Sequence, residues 1–320
     1  RGPGVLVDPS AAVQNVTMLQ ANPVSFPVLN TGEATDTFAF TLTGLPAGWT
    51  ATTQTQSLAA CSGDCTSGTA TVQLTVPGNT PIGDYTLQAK GTSTTDAAVT
   101  STSPVTVRVR KRATTLVYNG ATTGDYSDPA ALSAVVTDSA TGQPLAGKPV
   151  LFVIGTQTPA TIPTTGSTGV ATSSLTLSQP SGSVQVSASF DGDGTYLASI
   201  DTDAFAITKE TLSLAYTGST LVALGSTPIL SSTATEEPDG SPGDLTLAEA
   251  VFSLTPTLTT APFSYTTGVG PTGLSTITAT GLPVDIWSVT VAVPAGNRYW
   301  EDPTATSGEL VLYAPAAKFT

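Results

Sequence analysis

Apolar and hydroxyl-bearing residues alternate along this chain in short runs. Thr71-Val72-Gln73-Leu74-Thr75-Val76 and Val184-Gln185-Val186-Ser187-Ala188-Ser189-Phe190 place every second side chain on one face. That is the period of a strand with one buried side. Turn signals break the runs roughly every ten residues: Pro46-Ala47-Gly48, Pro77-Gly78-Asn79, Asn119-Gly120 and Pro238-Asp239-Gly240. A sustained helical period is hard to find anywhere. Many short strands with one face on the core predict antiparallel sandwiches, not βαβ units.

The last two thirds repeat themselves. Leu116-Val117-Tyr118-Asn119-Gly120 answers Leu214-Ala215-Tyr216-Thr217-Gly218, and Val150-Leu151-Phe152-Val153 answers Ala250-Val251-Phe252-Ser253. Gly166-Ser167-Thr168-Gly169-Val170 answers Gly270-Pro271-Thr272-Gly273-Leu274, and Tyr196 answers Tyr299. Matches in constant order at a nearly constant offset mark two copies of one fold.

Each copy resembles the bacterial Ig-like repeats found in tandem in surface proteins. The resemblance rests on Gly147-Lys148-Pro149-Val150-Leu151-Phe152, on Gly169-Val170-Ala171, and on Val186 to Ser199 with its Asp191-Gly192-Asp193-Gly194-Thr195-Tyr196 centre. The second copy departs from this ending with Pro294-Ala295-Gly296-Asn297-Arg298-Tyr299-Trp300. The first third resembles another Ig-like family, the modules appended to bacterial surface proteins and glycosidases. Here the matching stretches are Asn30-Thr31-Gly32, Asp36 to Leu42, Gly44-Leu45-Pro46-Ala47-Gly48-Trp49 and Thr80-Pro81-Ile82-Gly83-Asp84-Tyr85. Together the resemblances imply an all-β chain of three tandem immunoglobulin-like β-sandwich domains, at 1–110, 111–209 and 210–320. Neither family brings a shared catalytic residue. The boundaries fall at Arg108-Val109-Arg110-Lys111-Arg112 and at Thr208-Lys209-Glu210, short linkers without Gly/Ser tracts, so a semi-rigid rod is expected.

Composition narrows the function. Charged residues are 10% of 320, against roughly 25% in a typical soluble protein, and the net charge is −13 with a pI near 4.1. Such a field repels nucleic-acid phosphate and anionic lipid heads. No apolar run is long enough to span a bilayer, and Arg1 opens what reads as a mature or trimmed chain. Histidine is absent, which removes the commonest general base and metal ligand. Cys61 and Cys65, in Cys-Ser-Gly-Asp-Cys, predict a small disulfide loop and an oxidising compartment.

Four stretches are candidates for chemistry. Asp191-Gly192-Asp193-Gly194 reads first as a hairpin tip, where Asp-Gly supplies positive φ. Its two carboxylates make Asp191 and Asp193 a weak calcium candidate. The basic run Arg108, Arg110, Lys111 and Arg112 reads as a solubilising strand end, or as a contact for an acidic glycan or a neighbouring subunit. The acidic loop Glu236, Glu237, Asp239 and Asp244 reads as a solvated loop, or as one that holds a cation or faces a basic partner, the basic run of an adjacent copy among them. Tyr299 and Trp300, near a module end, are candidates for stacking on sugar rings, whereas Trp287 belongs to a core strand. No nucleophile elbow, phosphate loop or triad is present.

The expectation is a secreted or cell-surface, non-enzymatic protein without cofactor, a subunit or segment of a filament, stalk or coat. Its partners would be copies of itself or other cell-surface proteins. The alternative is an adhesin or glycan-binding accessory module with a polysaccharide partner.

Overall fold

The computed structural model describes residues 4–10, 12–61, 65 and 67–315. Among them are 25 strands, one single-turn 3₁₀ segment at Leu245–Leu247, and no α-helix. The chain is all-β, built of immunoglobulin-like sheets as the alternation predicts. Buried and exposed positions alternate without a break along Ala21–Asn30, Asp36–Thr43 and Asp285–Ala292.

The six sheets follow one another in the sequence as three pairs. In the first, Val5–Val7, Ala21–Asn30, Gly68–Thr75 and Thr50–Ala51 form one sheet, and Gln14–Thr17, Thr100–Arg110, Gly83–Ser93, Asp36–Thr43 and Gln54–Leu58 the other. In the second, Thr114–Tyr118, Pro129–Asp138 and Val170–Thr176 are followed by Thr123–Asp125, Ser199–Thr208, Gly182–Phe190 and Leu151–Ile154. In the third, Leu274–Thr278, Ile229–Glu236, Glu210–Tyr216 and Trp300–Glu301 are followed by Leu221–Ala223, Thr306–Tyr313, Asp285–Ala292, Glu249–Pro256 and Phe263–Gly268. Each second sheet carries a short parallel edge strand: Gln14 beside Val107, Thr123 beside Ala206, Leu221 beside Val311. The first third therefore shares the plan of the repeat although its sequence motifs differ.

The chain divides into two compact units. One comprises residues 1–116, 136–145 and 190–200, and the other 117–135, 146–189 and 201–320. The core of the first unit holds Phe26, Phe38, Phe40, Leu74 and Leu87, each stabilising the fold by roughly 1.5–3 kcal/mol through burial. Phe40 lies against Gly91, where a Cβ would sit 2.8 Å from the ring, so a central strand position is kept empty for an aromatic. Trp49 caps this core against Tyr85, ring centres 4.9 Å apart, after a turn closed by Trp49 N–H donating to Pro46 C=O.

The second unit explains the repeated motifs. Tyr118 packs edge-on to Phe152 at 6.3 Å, and Tyr216 edge-on to Phe252 at 6.3 Å. Their hydroxyls donate to Ala121 C=O and Ser219 C=O. Cβ atoms at Gly120 or Gly218 would lie 2.6 and 2.7 Å from those hydroxyls. The Tyr-x-Gly triplet is one packing device used twice. Likewise Gly169 and Gly273 adopt φ of 75° and 79°, each donating to the glycine three residues earlier. That tight turn requires the left-handed region.

Candidate functional site

The junctions where one sheet pair hands over to the next hold the most unusual chemistry, and each lies within a single compact unit. At the first, Arg112 N–H donates to Thr195 C=O and its own carbonyl accepts from Leu197 N–H, both at 2.8 Å. The guanidinium donates through Nε and Nη2 to both oxygens of Asp138. Nη1 donates to Met18 C=O at 3.0 Å and to Gln20 Oε1 at 3.3 Å. Arg112 and Asp138 are each 3% exposed. The Arg112 hydrogen bonds hold the Asp138 carboxyl below its usual range, and Ala140 and Thr141 N–H also donate to Oδ1. A buried charge is tolerated only when so paired.

The second junction uses the same positions with different chemistry. The offset that carries Leu116 to Leu214 carries Arg112 to Glu210, and Glu210 N–H donates to Tyr299 C=O as Arg112 N–H does to Thr195. Met18 and Leu19 have counterparts in Tyr126 and Ser127. Met18 and Tyr126 N–H donate to Arg110 and Thr208 C=O, and Leu19 and Ser127 N–H to Val76 and Leu177 C=O. Leu19 and Ser127 both adopt positive φ, 57° and 72°. Asp128 therefore stands where Gln20 stands. Tyr126 packs edge-on to Tyr299 at 5.0 Å and to Trp300 at 5.8 Å, and the Trp300 indole N–H donates to Asp244 C=O.

The charges do not balance as they do at the first junction. Carboxylate oxygens of Asp128, Glu210 and Asp239 lie within 4.8 Å of one another. Glu210 is 5% exposed; its Oε1 accepts from Thr211 N–H, and its Oε2 has no hydrogen-bond partner. Burial, with the neighbouring carboxylates, pushes the Glu210 carboxyl up to about 7. Burial and a hydrogen bond to Asp239 raise Asp128, while Ser241 N–H lowers Asp239. These three are the residues suited to hold a metal. Of them sequence reasoning singled out Asp239 alone, as part of an acidic loop able to hold a cation or to face a basic partner, and without Asp128 or Glu210 beside it. Extending the repeat offset back to Arg112 is the signal that finds Glu210.

The other candidate residues are placed as follows. A disulfide joins Cys61 and Cys65, with Cα atoms 5.1 Å apart; the residues between them lie outside the described residues. Asp193 Oδ1 accepts from Thr195 and Tyr196 N–H at 2.8 Å, and Gly192 has φ 83°, so this loop is a hydrogen-bonded turn. Asp191 is exposed beside it.

The basic run is split. Arg108 pairs with Asp84 at the surface, and Arg112 is buried, which removes it from any intersubunit contact. Arg110 and Lys111 are left on a groove of about 640 Å³ lined also by Ile82, Gly83, Arg108, Val109 and Leu197. Ile82 and Leu197 expose 64% and 49% of their surface there. In the acidic loop Glu236 accepts from Gly243 N–H, and Asp244 caps the 3₁₀ turn through Thr246 N–H; Glu237 and Asp239 are exposed. Trp300 is wholly buried and Tyr299 half-buried. The sequence expectation of an exposed Trp300 is thus corrected: the indole fills the junction, where no sugar ring reaches it.

Fold and junctions together define tandem immunoglobulin-like sandwiches joined through buried contacts. No family model and no curated protein sequence matches the chain. Among solved structures, a tetra-tandem repeat from the extending region of a large adhesion protein is similar at 16% identity and TM-score 0.45, over 97% of this chain and 73% of that one. The Yersinia pseudotuberculosis adhesin InvE is similar at 15% identity and TM-score 0.42, over 62% and 58%. Invasin, a bacterial integrin-binding protein, is similar at 15% identity and TM-score 0.37, over 98% and 60%. The chain spans less than two thirds of the length of the latter two. Among the described residues, no helix is long and apolar enough to cross a membrane.

Proposed function

We propose that this chain is a non-enzymatic structural segment of an extracellular or cell-surface assembly, a stalk, filament or coat that sets distance and meets copies of itself. The observation that carries this reading is the construction of the junctions. A flexible tether would leave consecutive sheet pairs independent. Here Arg112 and Asp138 are buried at one junction, and Tyr126 and Trp300 at the other. A chain that closes its joints with core is suited to holding spacing. The Cys61–Cys65 disulfide supports an oxidising, extracellular setting, and the lack of histidine supports a role without catalysis.

Self-association is best served by the groove at Arg110 and Lys111. Its apolar floor and basic rim oppose the −13 charge of the chain, so its fitting occupant is an acidic stretch of a second copy. Such an exposed contact weakens with salt. Light scattering and electron microscopy of the purified chain across ionic strength test the proposal. The expected result is salt-sensitive assembly that Arg110→Glu with Lys111→Glu abolishes. A strictly monomeric chain that binds a defined polysaccharide would overturn it in favour of an adhesin.

A further inference from the structure

The two junctions are built on equivalent positions, yet among the described residues only the first pairs its carboxylate with a cation. Where Arg112 stands between Gln20 and Asp138, the second junction has Glu210 near Asp128 and Asp239. Among the described residues, no ion pair reaches any of these three carboxylates. The adjacent Lys209 spends its ammonium on Ala295 C=O. Glu210 is buried to the same degree as Arg112, and its Oε2 is unpartnered. A buried carboxylate without a counter-charge is strongly disfavoured. A chain that satisfied this position with a guanidinium once has left the equivalent charge to be supplied from outside.

We propose that Asp128, Glu210 and Asp239 form a site for a divalent cation of the hard, oxygen-preferring class, calcium foremost, which locks the second junction as Arg112 locks the first. The dimensions agree. Calcium takes oxygen ligands at about 2.4 Å, so donors on opposite sides of the ion are about 4.8 Å apart, the limit within which these three oxygens fall. Three carboxylates offer up to six oxygens, and water fills the remainder of a six- to eightfold shell. Magnesium, with ligands near 2.1 Å and strict octahedral demands, fits this loose set less well. The site lies apart from the Asp191–Asp193 turn and does not depend on the proposed function.

The junction supplies its own reporter. Tyr126 is two residues from Asp128, and Trp300 bridges to Glu210 in register, so terbium bound there is excited through the aromatic rings. The experiment titrates the full chain with terbium alone at neutral pH, then displaces it with calcium. Saturable sensitised luminescence is expected, reversed by calcium with a dissociation constant of roughly 10⁻⁵–10⁻³ M. Glu210→Gln, which keeps the side-chain shape, and Asp239→Asn, on an exposed loop that tolerates change, should each weaken binding at least tenfold. Asp193→Ala should leave it unchanged. Absence of sensitised luminescence, or luminescence that survives both junction substitutions, or its loss in Asp193→Ala, would overturn the site.

Discussion

Asp138→Asn isolates what the first junction contributes. The substitution keeps the side-chain volume and the acceptor for Ala140 and Thr141 N–H, and removes the charge that answers Arg112. Two guanidinium hydrogen bonds are affected, each contributing about 1.5–3 kcal/mol when charge-assisted. The guanidinium, 4% exposed at the side chain, has no water to fall back on and keeps only uncharged acceptors, Met18 C=O and Gln20 among them. Breaking one side of a buried pair costs about 3–5 kcal/mol, so a loss of that size is expected, or roughly 10 °C or more in Tm.

Replacing both residues, Arg112→Met with Asp138→Leu, should cost less than the sum of the single changes, since no charge is then stranded. The pH dependence has a definite sign. Arg112 lowers the Asp138 pKa in the folded chain, so the pair's contribution is complete above the unfolded value near 3.9. It is lost as pH falls through the folded value. The gap between wild type and Asp138→Asn, from urea unfolding monitored with hydrogen exchange of residues 112–118, should hold down to about pH 4 and close below it. A gap under about 1 kcal/mol at pH 7, or one that persists unchanged to pH 2, would refute this account.

Two further outcomes follow from the packing. Gly91→Ala should destabilise the first unit by about 1–3 kcal/mol, because the new Cβ meets Phe40 at 2.8 Å and Val7 at 3.2 Å; a neutral effect in chemical denaturation would show that Phe40 is free to move. Burial pushes Tyr118 and Tyr216 up to about 12 and raises Tyr126 and Tyr265 as well, so tyrosinate absorbance should show a late phase from which Tyr118→Phe and Tyr216→Phe each remove a share. The stability of the neutral Tyr118 and Tyr216 phenols is whole below pH 10 and lost as pH rises through 12; all eight phenols ionising together near 10 would count against it.

How much of this was legible in the residues depends on the range of the cause. Alternation along Thr71–Val76 or Val184–Phe190 is a period-two pattern written in adjacent residues, and it marks strands wherever they later pack. Gly169 and Gly273 announce their turns because the left-handed backbone is a local demand. Tyr-x-Gly could be matched between copies before its reason was visible, since both partners lie within three residues. The Cys61–Cys65 spacing is local too.

The junctions are not local. Arg112 meets Asp138 across 26 residues and Met18 across 94, and nothing in Arg108 to Arg112 distinguishes the buried cation from the exposed ones. Trp300 looks like a terminal, solvated aromatic until Tyr126 is folded over it. Asp239 stands out in sequence only as part of an acidic loop, and Asp128 and Glu210 not at all; the three acquire a joint meaning only when the fold brings their carboxylate oxygens within 4.8 Å. The sequence by itself determined strands, turns and repetition, because those arise from steric and hydrophobic periods of a few residues. Tertiary structure decided which charges are buried and which are left without a partner, because electrostatic cost depends on what the distant chain removes from water.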